Sequence, residues 1–235
     1  MSNILSPRSA ATIEKLIRWA GPTGIVGGIS LAAAYLAHPP VAAPETVAST
    51  LWIWIHVGFM ISLLAGVFLL IALLARYFRS GGGMSGFVGF ALAVISLVFV
   101  FGLDYSEVFI FPTMAVEFPE VVEKYGDGTT MPSVAFAFPV TGLIFLVGFV
   151  LFAWQLYRTN AVVKGAALLT IVGTIVFTIG LSGMFPMIVV RVGAVVFGAA
   201  LAWLGMSLWT ASEPRRYRQI FRDRFEAGSR GADVG

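Results

Sequence analysis

Residues 51–75, LWIWIHVGFMISLLAGVFLLIALLA, run for twenty-five positions with a single ionisable side chain, His56. At about 1.5 Å of rise per residue, roughly 20 apolar residues in a helix cross the hydrocarbon core of a bilayer, so this stretch is long enough to span one. Five further windows of the same kind occupy approximately 19–37, 87–111, 134–156, 162–182 and 187–209. Backbone polar groups in hydrocarbon must be satisfied inside a helix or a closed barrel, and no period-2 alternation marks barrel strands. All six windows therefore read as α-helices. The expected fold is all-α, a polytopic membrane protein built as a six-transmembrane-helix bundle. Composition agrees, with 58% hydrophobic and 11% charged residues, against about 45–50% and about 25% in a soluble domain.

The basic residues set the expected orientation. Arg8, Lys15 and Arg18 precede the first span, Arg76 and Arg79 follow the second, Arg158 and Lys164 flank the turn between the fourth and fifth, and six arginines follow the sixth. Lys and Arg accumulate on the cytoplasmic side of membrane proteins, so both termini are expected to be cytoplasmic and the membrane to be a cytoplasmic one. The chain then divides into a cytoplasmic segment 1–18, a transmembrane domain 19–210 and a basic tail 211–235. The tail, EPRRYRQIFRDRFEAGSRG, alternates arginine with aromatic and aliphatic residues. Arg215, Arg216, Arg218, Arg222 and Arg224 are expected to lie on anionic lipids of the bilayer surface, a closer explanation of their charge than nucleic acid. A membrane-protein partner or a second copy of the chain would be equally hidden, because lipid-facing and subunit-facing surfaces share one composition.

Several chemistries are excluded or unsupported. There is no cysteine, hence no disulfide, thiolate metal site or thiol nucleophile. Two histidines are too few for the His-rich sites of membrane desaturases or multi-haem cytochromes. No lysine lies mid-membrane to hold a retinal Schiff base, and no phosphate-binding loop serves an ATP-driven pump. No cofactor is expected, and no hydrolase motif supports an enzyme.

Intramembrane ionisable residues are costly and each asks for a role. His56, Asp104, Glu107 and Arg191 qualify. Converting position to depth puts all four in the outer third of the membrane, which makes them the candidate substrate or proton site. Asp104 and Glu107, spaced i, i+3, share a helix face. Two close carboxylates repel each other in a low dielectric, so a shared proton or a cation is expected there, and Arg191 is a candidate for that cation. The plainer alternative is an ion pair between Arg191 and the acids that fixes helix packing, or side chains snorkelling to the interface.

Other features carry weaker expectations. Met60, Met114, Met131, Met184 and Met187 would suit a soft metal only if they converged, and no metal site is expected from their spacing. Trp52, Trp54, Tyr125, Trp203 and Trp209 read as interfacial anchors. Gly27, Gly28, Gly66, Gly148, Gly165, Gly173 and Gly180 offer close helix approach. Pro139 and Pro186 could free carbonyls to line an outer cavity. The loop 114–133 should hold a short amphipathic helix before the turn Gly126-Asp127-Gly128. Residues 63–76 align without gaps on 145–158, matching Gly66 to Gly148 and Arg76 to Arg158, which suggests that spans 2 and 3 duplicate spans 4 and 5. The functional expectation is a small-solute or proton-coupled transporter or channel. The alternatives are an accessory subunit of a larger membrane complex and a membrane enzyme acting on lipid or quinone.

Overall fold

The computed structural model describes residues 7–126 and 131–210. Among these residues it is a helical protein without strands: α1 (Pro7–Trp19), α2 (Gly21–Ala37), α3 (Pro44–Val47), α4 (Thr50–Arg79), α5 (Met84–Phe109), α6 (Phe111–Glu117), α7 (Pro119–Tyr125), α8 (Pro132–Arg158), α9 (Lys164–Leu181) and α10 (Met187–Thr210). Six helical stretches are long and apolar enough to cross a membrane, and the helices α2, α4, α5, α8, α9 and α10 that make them fall within about a turn of the windows read from hydropathy. The arginines of the C-terminal tail, Arg215 to Arg224, lie outside the described residues.

Proline sets many of the boundaries. Pro22, Pro44, Pro112, Pro119 and Pro132 each occupy the first turn of a helix, where the missing N–H costs nothing and the fixed φ suits helical backbone. Four of them lie at one end, and Pro112 and Pro119 are why the connection after α5 breaks into α6 and α7 and does not continue as one helix. The 114–133 loop thus holds the expected amphipathic helix as α7, whose Val122 is buried while Glu120 and Glu123 are exposed. Gly81 and Gly183 end α4 and α9 with φ of 82° and 72°, a left-handed backbone that glycine adopts without a Cβ clash.

The six spans form a closed ring. α2 packs on α4, α4 on α5, α5 on α8, α8 on α9, α9 on α10, and α10 returns to α2. Lipid tails are as apolar as leucine, so close packing must hold such a ring, and small residues permit it. A Cβ on Gly24 of α2 would come within 2.6 Å of the Leu201 carbonyl oxygen, and Gly28 and Gly198 face each other backbone to backbone across the same seam. Gly89 of α5 lies against Phe152 of α8, and Gly173 of α9 against Phe197 of α10.

The middle of the ring is filled with aromatic side chains. Tyr35 touches Phe59 at 4.6 Å and Phe177 at 5.1 Å between ring centroids. Phe177 stacks on Phe197 at 5.9 Å, and Phe197 meets Phe145 and Phe149 edge-on at 5.4 and 5.1 Å. Three buried hydroxyls are absorbed by their own helices: Ser96 donates to Ala93, Thr170 to Ala166 and Thr174 to Thr170.

The two ends differ. At one, the basic end, Glu14 of α1 receives both Arg76 and Arg79 of α4, and Arg76 also donates through Nε to the Ala161 carbonyl, 3.3 Å away, in the α8–α9 turn. At the other, the cap end, a second small core of Val47, Trp52, Ala115 and Val122 joins α3, α6 and α7 to the start of α4.

Several sequence expectations change here. The aligned glycines of the suggested duplication are not equivalent, since both Gly66 of α4 and Gly148 of α8 face α5, against Leu97 and Ala93 respectively. Arg76 is tied into the basic end while Arg158 is exposed. Pro139 lies inside α8 but is exposed on its surface, so it lines no cavity. Trp54 is 67% exposed, as an interfacial anchor should be. Trp52 is 3% exposed and is a core residue of the cap, because two residues along a helix turn a side chain to another face.

Candidate functional site

Four helices, α2, α4, α5 and α10, contribute to one polar cluster at the cap end. His56 sits six residues into α4, about 9 Å below its start, and belongs to the inward stripe of Trp52, Ile55, Phe59, Ser62 and Leu63. Asp104 and Glu107 lie in the last two turns of α5. Sequence pattern leaves two stripes of that helix in competition; in the structure both turn inward, with Asp104 buried and Glu107 half-buried. Arg191 lies in the first turns of α10 and is half-buried. Two further residues, Tyr35 at the end of α2 and His38 just past it, complete the cluster.

Its centre is a group of rings. His38 and His56 meet edge-on with centroids 5.4 Å apart, Trp52 lies 4.4 Å from His56 and 5.2 Å from His38, and Phe59 closes the group at 5.5 Å from His56. Both imidazoles are fixed in one tautomer. His56 Nδ1–H donates to the Trp52 carbonyl at 2.9 Å, and His38 Nδ1–H donates to the Pro39 carbonyl at 2.7 Å. A carbonyl oxygen can only accept, so the neutral ring must carry its proton on Nδ1 and present a lone pair at Nε2. Burial, with the Arg191 charge nearby, holds the His38 imidazole below its usual pKa, against the opposing effect of the Pro39 bond. His38 is therefore neutral near pH 7.

The carboxylates approach this group from α5. Asp104 and Glu107 act on each other electrostatically, and Asp104 also acts on the Tyr35 phenol. Glu107 sits against the Trp52 indole. Neither Trp52 Nε1 nor Glu107 Oε2 has a partner of good hydrogen-bond geometry, although both atoms are buried.

Arg191 does not play the role expected of it. Its Nη2 donates to the His38 carbonyl at 2.8 Å and its Nε is buried without a partner. Among the described residues the ion pairs are those of Glu14, so Arg191 does not neutralise Asp104 or Glu107, and the packing ion pair is absent too. The guanidinium instead fixes the chain just past α2 to α10.

The structure thus brings His56 and Glu107 to Trp52, sets Asp104 within electrostatic reach of Glu107 and Tyr35, and reaches Arg191 through His38. Trp52, Tyr35 and His38 are the members that sequence reasoning did not place in the site. The signal for His38 was its depth beside His56. The methionines do not converge: Met114 packs in the cap, Met187 against the main core, and Met184 is exposed. No group of three potential metal-ligating side chains occurs among the described residues.

An arrangement of two imidazole lone pairs, two carboxylates and aromatic faces is rich in acceptors. It is suited to a proton or to a small solute bearing N–H or O–H donors, and the rings add affinity for a positive charge. Comparison of the chain with protein-family models, with curated proteins and with solved structures finds no match to any of them.

Proposed function

We propose that this integral membrane protein is a proton-coupled carrier of a small, donor-bearing solute, with His56, Asp104, Glu107 and Arg191 forming its site beneath the α6–α7 cap. One observation carries the proposal. Three buried polar atoms, Trp52 Nε1, Glu107 Oε2 and Arg191 Nε, make no hydrogen bond of good geometry, the first two only lying against each other, in the same cluster where two histidines present free lone pairs. Orphaned buried polar groups cost about 1–3 kcal/mol each, and a bound solute would remove that cost.

The parts fit the cycle such a carrier needs. The repulsion between the two carboxylates is relieved either by a proton or by a cationic solute, so one can be exchanged for the other. His38 and His56 can pass a proton through their Nε2 atoms. Tyr35 and Phe59 of the site pass directly into the aromatic packing of Phe177 and Phe197, and these rings must part for the solute to pass.

The test is solute-driven proton movement in vesicles carrying an internal pH dye, screened over small amines, alcohols and amino acids. A solute that moves protons with the wild type should fail to do so with Asp104→Asn or Glu107→Gln, while both variants remain monodisperse. Undiminished proton movement in both variants would refute the site.

A second reading is favoured by α8. Over residues 132–140, about 13 Å of helix, every residue but Val134 is exposed, Phe136 at 75%. A subunit of a larger membrane complex would use such a surface, and stoichiometric co-purification in mild detergent would support it.

A further inference from the structure

A groove of about 440 Å³ opens at the basic end between α1 and α10, lined by Ala11, Glu14, Lys15, Arg18, Trp19 and Trp209. It lies at the level where α2 begins and α10 finishes, so it sits at a bilayer boundary. Its one carboxylate, Glu14, is already held by both Arg76 and Arg79, which leaves a net positive charge behind the groove. Lys15 and Arg18 add two more charges in front. Lys15 is exposed, and among the described residues it has no hydrogen-bond or ion-pair partner. Among the described residues Arg18 spends only Nε, on the Trp209 carbonyl at 2.9 Å, which leaves both terminal nitrogens for a ligand. Opposite the cations, Trp19 and Trp209 stand with ring centroids 6.1 Å apart and planes inclined at 49°. Both rings are exposed, and Leu16 beside them is exposed as well.

We propose that this groove holds the phosphodiester headgroup of an anionic phospholipid, with the glycerol and upper acyl chain lying against Trp19, Trp209 and Leu16. Three features fit that ligand. A guanidinium with both terminal nitrogens free suits a phosphate in bidentate geometry. Paired indoles at a membrane boundary match the amphipathic region between headgroup and tail. The surplus positive charge favours a lipid with net negative charge over a zwitterionic one, whose cationic group would face it. A soluble phosphate has the same headgroup chemistry but would leave the aromatic wall unused. The site is independent of the cluster at the cap end and of the transport reading.

Native mass spectrometry of the full-length protein tests it. The protein is presented with equal amounts of phosphatidylglycerol and phosphatidylcholine of matched chains. Phosphatidylglycerol should be retained preferentially, and that preference should fall roughly fivefold in Lys15→Gln and roughly thirtyfold in Lys15→Gln/Arg18→Gln, on the basis of the ordinary worth of one basic residue at a lipid surface. Lys15→Gln removes no hydrogen bond or ion pair among the described residues, so it decides the matter even if the double variant fails to fold. Equal retention of the two lipids by the wild type, or an undiminished preference in Lys15→Gln, overturns the proposal. Inorganic phosphate and glycerophosphate form the control arm. If either displaces the lipid at comparable concentration, the groove is a soluble-phosphate site; no displacement supports the lipid.

Discussion

His38 and His56 face each other edge to centre at 5.4 Å, each with its Nδ1 proton given to a backbone carbonyl and its Nε2 left free. They come from different helices, one just past the end of α2 and the other six residues inside α4. Their carbonyl bonds do for the rings what a second shell does for metal-ligating histidines, fixing tautomer and aim. The free Nε2 atoms are where the site can take up a proton or accept a donor.

That arrangement makes the cap end sensitive to acid. The pKa of His38 lies below its ordinary 6.5, because of burial first and the Arg191 charge in addition. The unfolded chain therefore binds a proton at a higher pH than the folded one. Stability is full above pH 6.5 and is lost as pH falls through the depressed folded value. Melting temperature in detergent is expected to drop between pH 7.5 and pH 5, and to drop less in His38→Gln. Equal slopes for the two proteins would count against a buried neutral His38.

The α2–α10 seam is expected to be intolerant of a single methyl group. In Gly24→Ala the new Cβ would lie 2.6 Å from the Leu201 carbonyl oxygen and 2.9 Å from the Gly205 Cα, both backbone atoms that can yield only if the helices separate. A loss of about 1–3 kcal/mol or more is expected. Gly142→Ala is the matched control: its Cβ meets nothing within 4 Å, and the gain in helix propensity is about 0.5–1 kcal/mol. Thermal melts of the two variants should move in opposite directions.

Glu14→Gln should loosen α1. The carboxylate is the shared acceptor for Arg76 and Arg79, and all three side chains are less than a fifth exposed. Hydrogen bonds to charged groups contribute about 1.5–3 kcal/mol where water is scarce. Faster proteolysis between α1 and α2, with the remainder of the bundle resistant, is the expected signature; an unchanged cleavage pattern would mean that Ile17 and its apolar contacts alone hold the helix.

Trp52→Phe separates the needs of folding from those of binding. The substitution removes a buried indole N–H that meets Glu107 only in poor geometry, and the relief, up to about 1–3 kcal/mol, offsets part of the loss of a large buried ring. Stability of the ligand-free protein should stay within roughly 1 kcal/mol of wild type, while solute-driven proton movement weakens. A large loss of stability with activity retained would assign Trp52 to packing alone.

Much of this architecture was legible in the chain. Hydropathy over twenty-residue windows found the six spans because the bilayer fixes their length. Gly27, Gly28, Gly148, Gly173 and Gly180 lie at helix contacts because only small residues permit close approach in lipid. Depth alone brought His56, Asp104, Glu107 and Arg191 to one level. What depth could not supply was rotation. Phe and Val surround Asp104 on every side, so no polar face marks the inward one. The same uniformity made Trp52 and Trp54 look alike, although one is core and the other faces outward. The partner of Arg191 was illegible for a different reason: it is a backbone carbonyl, His38 O, and main-chain acceptors leave no trace in residue identity.

The glycine seam between Gly28 and Gly198 joins the first span to the last. A ring closed in this way has no complete wall until its final helix exists. During synthesis α2 enters the membrane with its close-packing face bare, and His38, His56 and the two carboxylates are all in place before Arg191 is made. The clasp that fixes His38 arrives with α10, so the site is unfinished for nearly the whole of translation. A chain arrested before α10 would leave an open horseshoe of five spans with its polar cluster toward lipid, a species that quality control can recognise.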